Sequence, residues 1–172
     1  MRALIPDGIE VRPGSAEALP LPDAAADAVT VAQAFHWFRA DEALSEIHRV
    51  LRSAGALAIV RNRRDETDAL QLAFAETLRR HRSHPPLEQE LDVPAALTRS
   101  RRFAPAELRE FPHVHRLDPA GFVALAASES SIARLTGAAR AAALEDFARL
   151  LPDGSASVEL RYVTSVHLTT RR

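Results

Sequence analysis

The sequence contains no cysteine and no lysine, so all 22 of its basic residues are arginine. Without cysteine the chain cannot form disulfides, thiolate nucleophiles or cysteine-ligated metal centres. Without lysine it cannot form a Schiff base with a carbonyl substrate, and it cannot contain a phosphate-binding loop that ends in Gly-Lys-Ser/Thr. These two absences exclude several classes of enzyme before any motif is considered.

No stretch of the chain has the roughly 20 consecutive apolar residues that a membrane-spanning helix requires. The first residues also lack the apolar segment of a secretory signal, since Arg2 is soon followed by the turn Pro6-Asp7-Gly8. The net charge of −1 gives no field that favours nucleic acid or anionic lipid. We therefore expect a cytoplasmic protein that binds neither nucleic acid nor membranes, with about one domain in its 172 residues.

Two short apolar segments, residues 28–32 and 56–60, predict buried parallel strands. Their apolar residues do not alternate with polar ones, which is typical of strands that are covered on both faces. Between them the sequence predicts a helix that is capped by Asp41, runs to about Arg52 and is stopped by Gly55. Strand, helix and strand in this order form the βαβ unit of a parallel sheet.

The other predicted elements follow from turn residues and hydrophobic spacing. Polar and apolar side chains alternate over residues 157–170, which favours a long antiparallel strand. The apolar face of that strand would comprise Val158, Leu160, Tyr162, Val166 and Leu168. The remaining predictions are a strand at 9–11, a helix at 67–82, an irregular loop or lid at 87–105, a strand at 111–117, a helix after the capping pair Asp118-Pro119, and a helix at 137–151.

Candidate binding residues are those that follow the predicted strands, because ligands of open parallel sheets bind outside the carboxyl ends of the strands. The segments 13–17, 33–38 and 61–65 each occupy such a position. The second is the most unusual, because His36 lies there among three aromatic residues. These aromatics either pack the sheet against the following helix or form the wall of a binding site, and the sequence leaves both interpretations open.

Two pairs of histidines are candidate metal ligands. His113 and His115 share the face of a predicted strand, and His81 and His84 lie one helical turn apart. Neither pair has a third ligand at a suitable spacing, and a protein zinc site needs at least three. We therefore expect no metal site.

Several segments, taken in sequence order, together resemble one known protein family: residues 14–23, 28–38, 46–52, 55–57, 128–135 and 160–164. The resemblance begins with a loop that contains Ala-Glu-Ala-Leu-Pro, continues with an apolar strand followed by His-Trp, and then has a helix that ends shortly before a glycine. A similar tail follows near the C-terminus, so the resemblance covers most of the chain. The family that these segments resemble is the class I S-adenosylmethionine-dependent methyltransferases, and the closest group is methyltransferase type 11.

The resemblance implies an α/β fold with an incomplete Rossmann-like methyltransferase sheet. This sheet would be mostly parallel, with an antiparallel C-terminal strand. The chain would be a single, partial methyltransferase-like domain. Residues 1–65 would be the rest of the cofactor-binding half, and residues 66–172 would be the C-terminal half.

The resemblance also identifies candidate cofactor-binding residues. Ser15 and Ala16 match the loop that lines the adenine of S-adenosylmethionine, although the family commonly has an acidic residue at the position of Ser15. Gln33 and Ala34 match the strand end beside the methionine part of the cofactor.

His36 and Trp37 match positions at the border between cofactor and methyl acceptor, which makes them the candidate catalytic residues. Methyl transfer is an in-line displacement at a sulfonium, so the protein mainly has to orient the reactants in an apolar, aromatic-walled site. His36 could also accept a proton from the acceptor. A packed or surface histidine is the alternative interpretation.

The sequence departs from the family at its start. The family begins with a strand, a Gly-x-Gly turn, a helix and a second strand that ends in an acidic residue. None of these is present, and no two of the six glycines lie two residues apart. We therefore expect an N-terminally truncated chain that lacks the first two strands and binds S-adenosylmethionine weakly or not at all.

Two functions from different classes remain open. The first is a methyltransferase that acts on a small molecule, represented by a gene fragment, a chain with a misassigned start, or half of a split enzyme. The second is a non-catalytic remnant or split-enzyme subunit. It would bind a second copy or a complementing chain through residues 28–32, which the missing strand would leave as an apolar edge. A nicotinamide-dependent dehydrogenase would share the fold but lacks its glycine fingerprint here.

Overall fold

The computed structural model describes residues 6–82 and 92–172. Four strands and six helices lie in these ranges, together with a short 3-10 helix at Phe35–Trp37. In chain order they are β1 (Ala26–Ala32), α1 (Ala40–Val50), β2 (Leu51–Arg64), α2 (Ala69–Arg80), α3 (Val93–Ser100), β3 (Glu107–Leu117), α4 (Pro119–Ser128), α5 (Ser130–Ala133), α6 (Gly137–Ala148) and β4 (Val158–Thr170).

The strands form one four-stranded sheet in the order β1-β2-β4-β3. β1 and β2 are parallel neighbours, and their register runs from Ala28 opposite Ala56 to Ala32 opposite Val60. β4 runs antiparallel to β2, because residue 171 pairs with residue 55 whereas residue 161 pairs with residue 65. The mixed α/β fold with an antiparallel C-terminal strand is therefore confirmed.

The chain divides into two compact units. Within the described residues, unit 1 comprises 6–61, 92–109 and 166–172, and unit 2 comprises 62–82 and 110–165. Each unit has its own apolar core. That the chain forms one partial domain stays a prediction. None of the helices in the described ranges is long and apolar enough to cross a membrane.

The core of unit 1 lies between α1 and the parallel pair of strands. Leu44 and Ile47 of α1 are buried against Val31 of β1 and against Leu57 and Ile59 of β2. The outward positions of β1 at residues 28, 30 and 32 are exposed among the described residues. The prediction that both faces of this strand are covered is therefore wrong, although the strand itself is confirmed.

The core of unit 2 is built on three phenylalanines from three helices. The ring of Phe74 lies 5.5 Å from that of Phe122 in an edge-on arrangement and 4.8 Å from that of Phe147. All three side chains are fully buried. The helix that follows Asp118-Pro119 forms as predicted, and Asp118 accepts a hydrogen bond from the backbone N–H of Gly121 at 2.6 Å.

The predicted strand at residues 9–11 does not form. Ile9 and Val11 are exposed, and this segment has no partner in the sheet among the described residues. The apolar residues alone cannot stabilise a strand, because a strand needs a neighbour for its backbone hydrogen bonds.

The predicted cap and stop of α1 are also wrong. The helix begins at Ala40, its N-cap residue is Arg39, and Asp41 lies in the first turn. It ends at Val50, and β2 follows directly. Gly55 lies where the register of β2 against β1 is irregular, and a Cβ there would come within 2.9 Å of the Arg52 carbonyl oxygen.

The predicted loop at 87–105 contains α3, as far as it lies inside the described residues. Asp92 caps this helix by accepting a hydrogen bond from Ala95 at 2.9 Å, and Pro94 lies in the first turn, where proline is tolerated. Ala96 and Leu97 are buried in the core of unit 1. Pro94, which indicated a loop, instead lies in the first turn of a helix.

The buried side of β4 changes along the strand. Val158 and Leu160 are buried near its start, whereas Ser165 and Thr169 are the buried positions towards its end. The prediction of one apolar face along the whole strand is therefore wrong. Thr169 can be buried because its hydroxyl donates a hydrogen bond to the Ala104 carbonyl oxygen at 2.6 Å.

Candidate functional site

A cleft of about 700 Å³ runs along the edge of β1 in unit 1. Four consecutive residues of β1, 29–32, line it, so the cleft follows the edge of the strand and not one of its faces. Its volume lies in the range typical of small-molecule sites, which is about 300–1,000 Å³. The lining residues are Glu10, Arg12, Gly14, Ser15, Ala16, Leu19, Pro20, Leu21, Val29, Thr30, Val31, Ala32, Ala34, Phe38 and Ile47.

Three of the four predicted cofactor-binding residues lie in this cleft. Ser15 and Ala16 line it from the loop before β1, and Ala34 lines it from the segment after β1. Gln33, the fourth, is not among the lining residues. Its backbone has a φ of 51°, which is uncommon for a residue with a side chain, and its N–H donates to the Val60 carbonyl oxygen at 3.0 Å.

The loop that carries Ser15 and Ala16 is a tight turn. The N–H of Ala18 donates to the carbonyl oxygen of Ser15 at 3.1 Å. Gly14 is needed just before the turn, because a Cβ at this position would lie 2.8 Å from Cδ of Pro20. The rigid proline ring cannot move aside, so the missing side chain permits this close approach.

Glu17 connects this turn to the segment after β1. Its carboxylate accepts a hydrogen bond from the backbone N–H of Arg39 at 3.0 Å. This bond is the main reason why the pKa of Glu17 lies below its usual range. This bond therefore joins the turn before β1 to the segment after it within unit 1.

A second connection comes from α1. Glu46 accepts a hydrogen bond from the backbone N–H of Leu19 at 2.8 Å, and Arg49 contacts the carboxylate of Asp23 at 2.7 Å. Sequence analysis did not single out a site role for Glu46 and Arg49. The only sequence signal was their place in a segment that resembles the methyltransferases, because their partners lie more than 20 residues away along the chain.

The aromatic residues after β1 do not all have the same role: some pack in the core, and one lines the cleft. Phe35 is buried in the core of unit 1 and packs edge-on against Phe38, with ring centroids 6.0 Å apart. Phe38 also lines the cleft. Trp37 is 60% exposed, and its ring lies 4.9 Å from that of His36. Neither of these predicted catalytic residues lines the cleft, so their roles stay predictions.

The cleft also contains two charged residues that sequence analysis missed. Glu10 and Arg12 form an ion pair with a distance of 2.6 Å between Arg12 Nε and Glu10 Oε1. Arg12 also donates to the Pro20 carbonyl oxygen at 3.1 Å. They were missed because residues 9–11 were interpreted only as a strand.

Two histidines of the candidate metal pairs, His81 and His113, have other partners. Nε2 of His81 lies 2.8 Å from Oδ2 of Asp146, and the ring of His113 stacks on that of Tyr162 at 5.6 Å. His84 lies outside the described residues. Within the described ranges, no group of three His, Asp or Glu side chains could hold a metal ion.

Comparisons with known proteins find similarity to methyltransferases. Residues 2–59 match the family model described as a methyltransferase domain. An uncharacterized methyltransferase of Mycobacterium tuberculosis is 33% identical over 130 residues, which are 76% of this chain and 50% of the relative. An uncharacterized methyltransferase-like protein of Schizosaccharomyces pombe is 44% identical over 78 residues, 45% of this chain and 30% of the relative. The chain thus spans half the length, or less, of these curated relatives.

Solved structures share the fold. A protein assigned as a type II methyltransferase from Anaeromyxobacter dehalogenans superposes with a TM-score of 0.61 at 22% identity, covering 92% of this chain and 69% of that one. A protein assigned as a methyltransferase of an antibiotic biosynthesis pathway from Anabaena variabilis gives 0.57 at 18% identity, covering 94% and 74%. With the family match and the curated relatives, this likeness leads to one conclusion. The chain is similar in sequence and in fold to the class I S-adenosylmethionine-dependent methyltransferases.

Proposed function

We propose that the protein is a cytoplasmic methyltransferase that binds S-adenosylmethionine in the cleft beside β1 and methylates a small molecule. The observation that carries this proposal is the meeting of Ser15, Ala16 and Ala34 in one cleft. These residues come from two segments on either side of β1, and the resemblance assigned all three to the cofactor independently of their positions in space.

The cleft suits the adenosine end of the cofactor. Ala16, Leu19 and Phe38 offer apolar surface of the kind that packs against an adenine ring. The carboxylate of Glu10 could accept hydrogen bonds from ribose hydroxyls, and Arg12 could bind the carboxylate of the methionine part. Bound S-adenosylmethionine would supply the activated methyl group on its sulfonium.

His36 and Trp37 would act on the acceptor side of the cofactor. Trp37 would offer its exposed ring to the sulfonium or to an apolar part of the acceptor, since a cation is attracted to the face of an indole. His36 would accept the proton that the acceptor loses when its new bond to the methyl carbon forms. The remaining contribution is orientation in line with the bond that breaks between sulfur and the methyl carbon.

We expect S-adenosylmethionine to bind weakly to this chain. Gly14 is the one glycine among the cleft-lining residues, and no two glycines of the sequence lie two residues apart. The sequence therefore lacks the Gly-x-Gly turn whose backbone N–H groups would bind the methionine carboxylate. We expect a dissociation constant of about 0.1–1 mM, which corresponds to about −4 to −5.5 kcal/mol.

Isothermal titration calorimetry with S-adenosylmethionine tests the proposal. Ala16→Glu would place a charge and extra volume in the cleft and should abolish saturable binding. Ala18→Glu is the matched control, because Ala18 lies in the same turn but is exposed and does not line the cleft. A wild-type titration without heat at several millimolar cofactor would refute the proposal, and equal binding by both variants would refute the location.

A second candidate function is docking of another chain onto β1. It is favoured by the position of β1 at the end of the sheet, by its exposed outward residues and by the cleft along its edge. The partner would add a strand to β1, either as a second copy or as a complementing chain. Sedimentation analysis separates this function from the first, because docking predicts association that does not depend on S-adenosylmethionine.

A further inference from the structure

Two charged residues of α1 fix the loop that lines one side of the cleft. We infer that Glu46 and Arg49 are positioning residues for the cofactor loop, which we define as residues 15–23. The inference rests on the proposed function, since it assigns these residues a purpose in cofactor binding. Neither residue lines the cleft, so any effect on the cofactor must pass through the loop.

Glu46 bonds simultaneously to the loop and to Arg49. Its Oε1 accepts from the backbone N–H of Leu19 at 2.8 Å and from Nη2 of Arg49 at 2.6 Å. Its Oε2 accepts from Nε of Arg49 at 2.9 Å. The side chain of Glu46 is only 16% exposed, so water competes weakly for these bonds. The Arg49 bonds lower the pKa of Glu46 from its ordinary range, which keeps the carboxylate ionised.

Arg49 completes the connection with a different set of loop atoms. Its Nη1 donates to Oδ1 of Asp23 at 2.7 Å, and its Nη2 approaches the Leu19 carbonyl oxygen at 3.3 Å. The backbone carbonyl of Arg49 also accepts a hydrogen bond from the N–H of Ala24 at 3.0 Å. Both backbone polar groups of Leu19 therefore have partners on α1, and so do the loop residue Asp23 and the adjacent Ala24.

The loop needs this external support because it contains little structure of its own. Pro20 and Pro22 cannot donate backbone hydrogen bonds, and residues 15–23 include no helix and no strand of the sheet. Leu19, Pro20 and Leu21 line the cleft directly. A shift of Leu19 away from α1 would therefore change the shape of the wall that faces the cofactor.

The experiment compares Glu46→Ala, Glu46→Gln and Arg49→Lys with Glu42→Ala. Glu42 is the matched control, because it is an exposed carboxylate on the same helix with an arginine partner of its own, Arg39. The first measurement is amide hydrogen exchange of residues 15–23 without cofactor. We expect faster exchange in Glu46→Ala, a smaller increase in the two conservative variants and no change in Glu42→Ala.

The second measurement is affinity. We expect Glu46→Ala to weaken S-adenosylhomocysteine binding about tenfold, Glu46→Gln about threefold, and Glu42→Ala less than twofold. The loop would hold the adenosine end of the cofactor, so 5′-methylthioadenosine should lose affinity by the same factors. A merely structural role would not give partial rescue by Glu46→Gln together with equal losses for both ligands.

Failure of the inference and failure of the proposed function give different results. Unchanged exchange of residues 15–23 in Glu46→Ala, or a loss confined to S-adenosylhomocysteine, would overturn the inference while wild-type binding stands. Faster exchange together with no binding by the wild type would overturn the proposed function, and the cofactor role of the loop with it. If Glu46→Ala does not fold, Glu46→Gln and Arg49→Lys keep the side-chain size and decide the matter.

Discussion

The two strands at the ends of the sheet differ in how they are protected. β3 is exposed along residues 107–116, and it carries four charged side chains and Pro112. All four belong to ion pairs: Glu107 pairs with Arg109 within β3, Glu110 pairs with Arg63 of β2, and Arg116 pairs with Glu159 of β4. β1, in contrast, has Asp27 as its one charged residue, and alanine, valine and threonine otherwise.

This difference indicates two kinds of sheet edge. Charged side chains and proline on an edge strand prevent other strands from pairing with it, and β3 has both. β1 has one buried face, an apolar sequence and an adjacent cleft, which are the features of a strand that accepts a neighbour. The amino-acid composition of each strand thus carries information about its neighbours that hydrophobic periodicity alone does not.

The largest expected effect concerns the buried face of β1. Val31→Asp would bury a carboxylate without a partner, because Val31 is 7% exposed in the core of unit 1. We expect a loss of about 3 kcal/mol in the free energy of unfolding. On β3, Val114 is 40% exposed, so Val114→Asp should cost less than about 0.5 kcal/mol. Urea unfolding of both variants checks the difference, and equal losses would contradict it.

Much of the fold could be predicted because local sequence determines it. The apolar segments of β1 and β2, and the capping pair Asp118-Pro119, depend on residues close together in sequence. The segment at residues 9–11 was predicted wrongly because a strand depends on a neighbour that its own sequence does not specify. The region of α3 was predicted wrongly because Pro94 is compatible with both a loop and the first turn of a helix.

The next largest effect on the free energy of unfolding is expected from removing a carboxylate, Glu46 near β1 or Glu107 on β3. Glu46 bonds to Leu19 and Arg49 and is 16% exposed, whereas the partner of Glu107 among the described residues is Arg109 on its own exposed strand. We expect Glu46→Ala to lower the free energy of unfolding by about 2 kcal/mol, because the Leu19 N–H loses its acceptor. Glu107→Ala should cause no measurable change. Thermal unfolding measured by circular dichroism checks this, and a large effect at Glu107 would assign β3 a structural role.

The candidate site was only partly predictable. Ser15, Ala16 and Ala34 could be assigned because the resemblance covers their segments, and the cleft brings them together. The bonds from Glu46 to Leu19 could not be predicted, because they join residues 27 positions apart and arise only when α1 packs beside the loop. Charged side chains on a helix ordinarily indicate a solvated face, so the sequence offered no physical reason to assign them a role.

A smaller effect is expected for association through β1. Thr30 is exposed and lines the cleft, so Thr30→Lys would place a charge on the edge without disturbing the core. We expect it to weaken any self-association at least about tenfold, or about 1.4 kcal/mol. Val114→Lys on β3 is the control and should leave association unchanged. Sedimentation velocity over a range of concentrations measures both, and loss of association in the control alone would move the interface to β3.

The smallest effect is the pH dependence that the Glu46 contacts impose. Hydrogen bonds from Arg49 lower the pKa of Glu46 in the folded state below its unfolded value of about 4.3. A carboxyl group of this kind stabilises the fold above its unfolded pKa, and that contribution is lost as the pH falls through the folded pKa. Glu46→Gln should therefore flatten the decline in stability that begins near the unfolded pKa of about 4.3 and continues as the pH falls, by less than about 1 kcal/mol. Glu107→Gln gives the comparison on β3, where Arg109 lowers the pKa of Glu107 but both side chains are exposed. Denaturant unfolding at several pH values should give a flatter profile for Glu46→Gln than for Glu107→Gln. The reverse order would mean that the charges of β3 contribute more to the fold than those of α1. The difference between the charged edge strand β3 and the apolar edge strand β1 would then need another explanation.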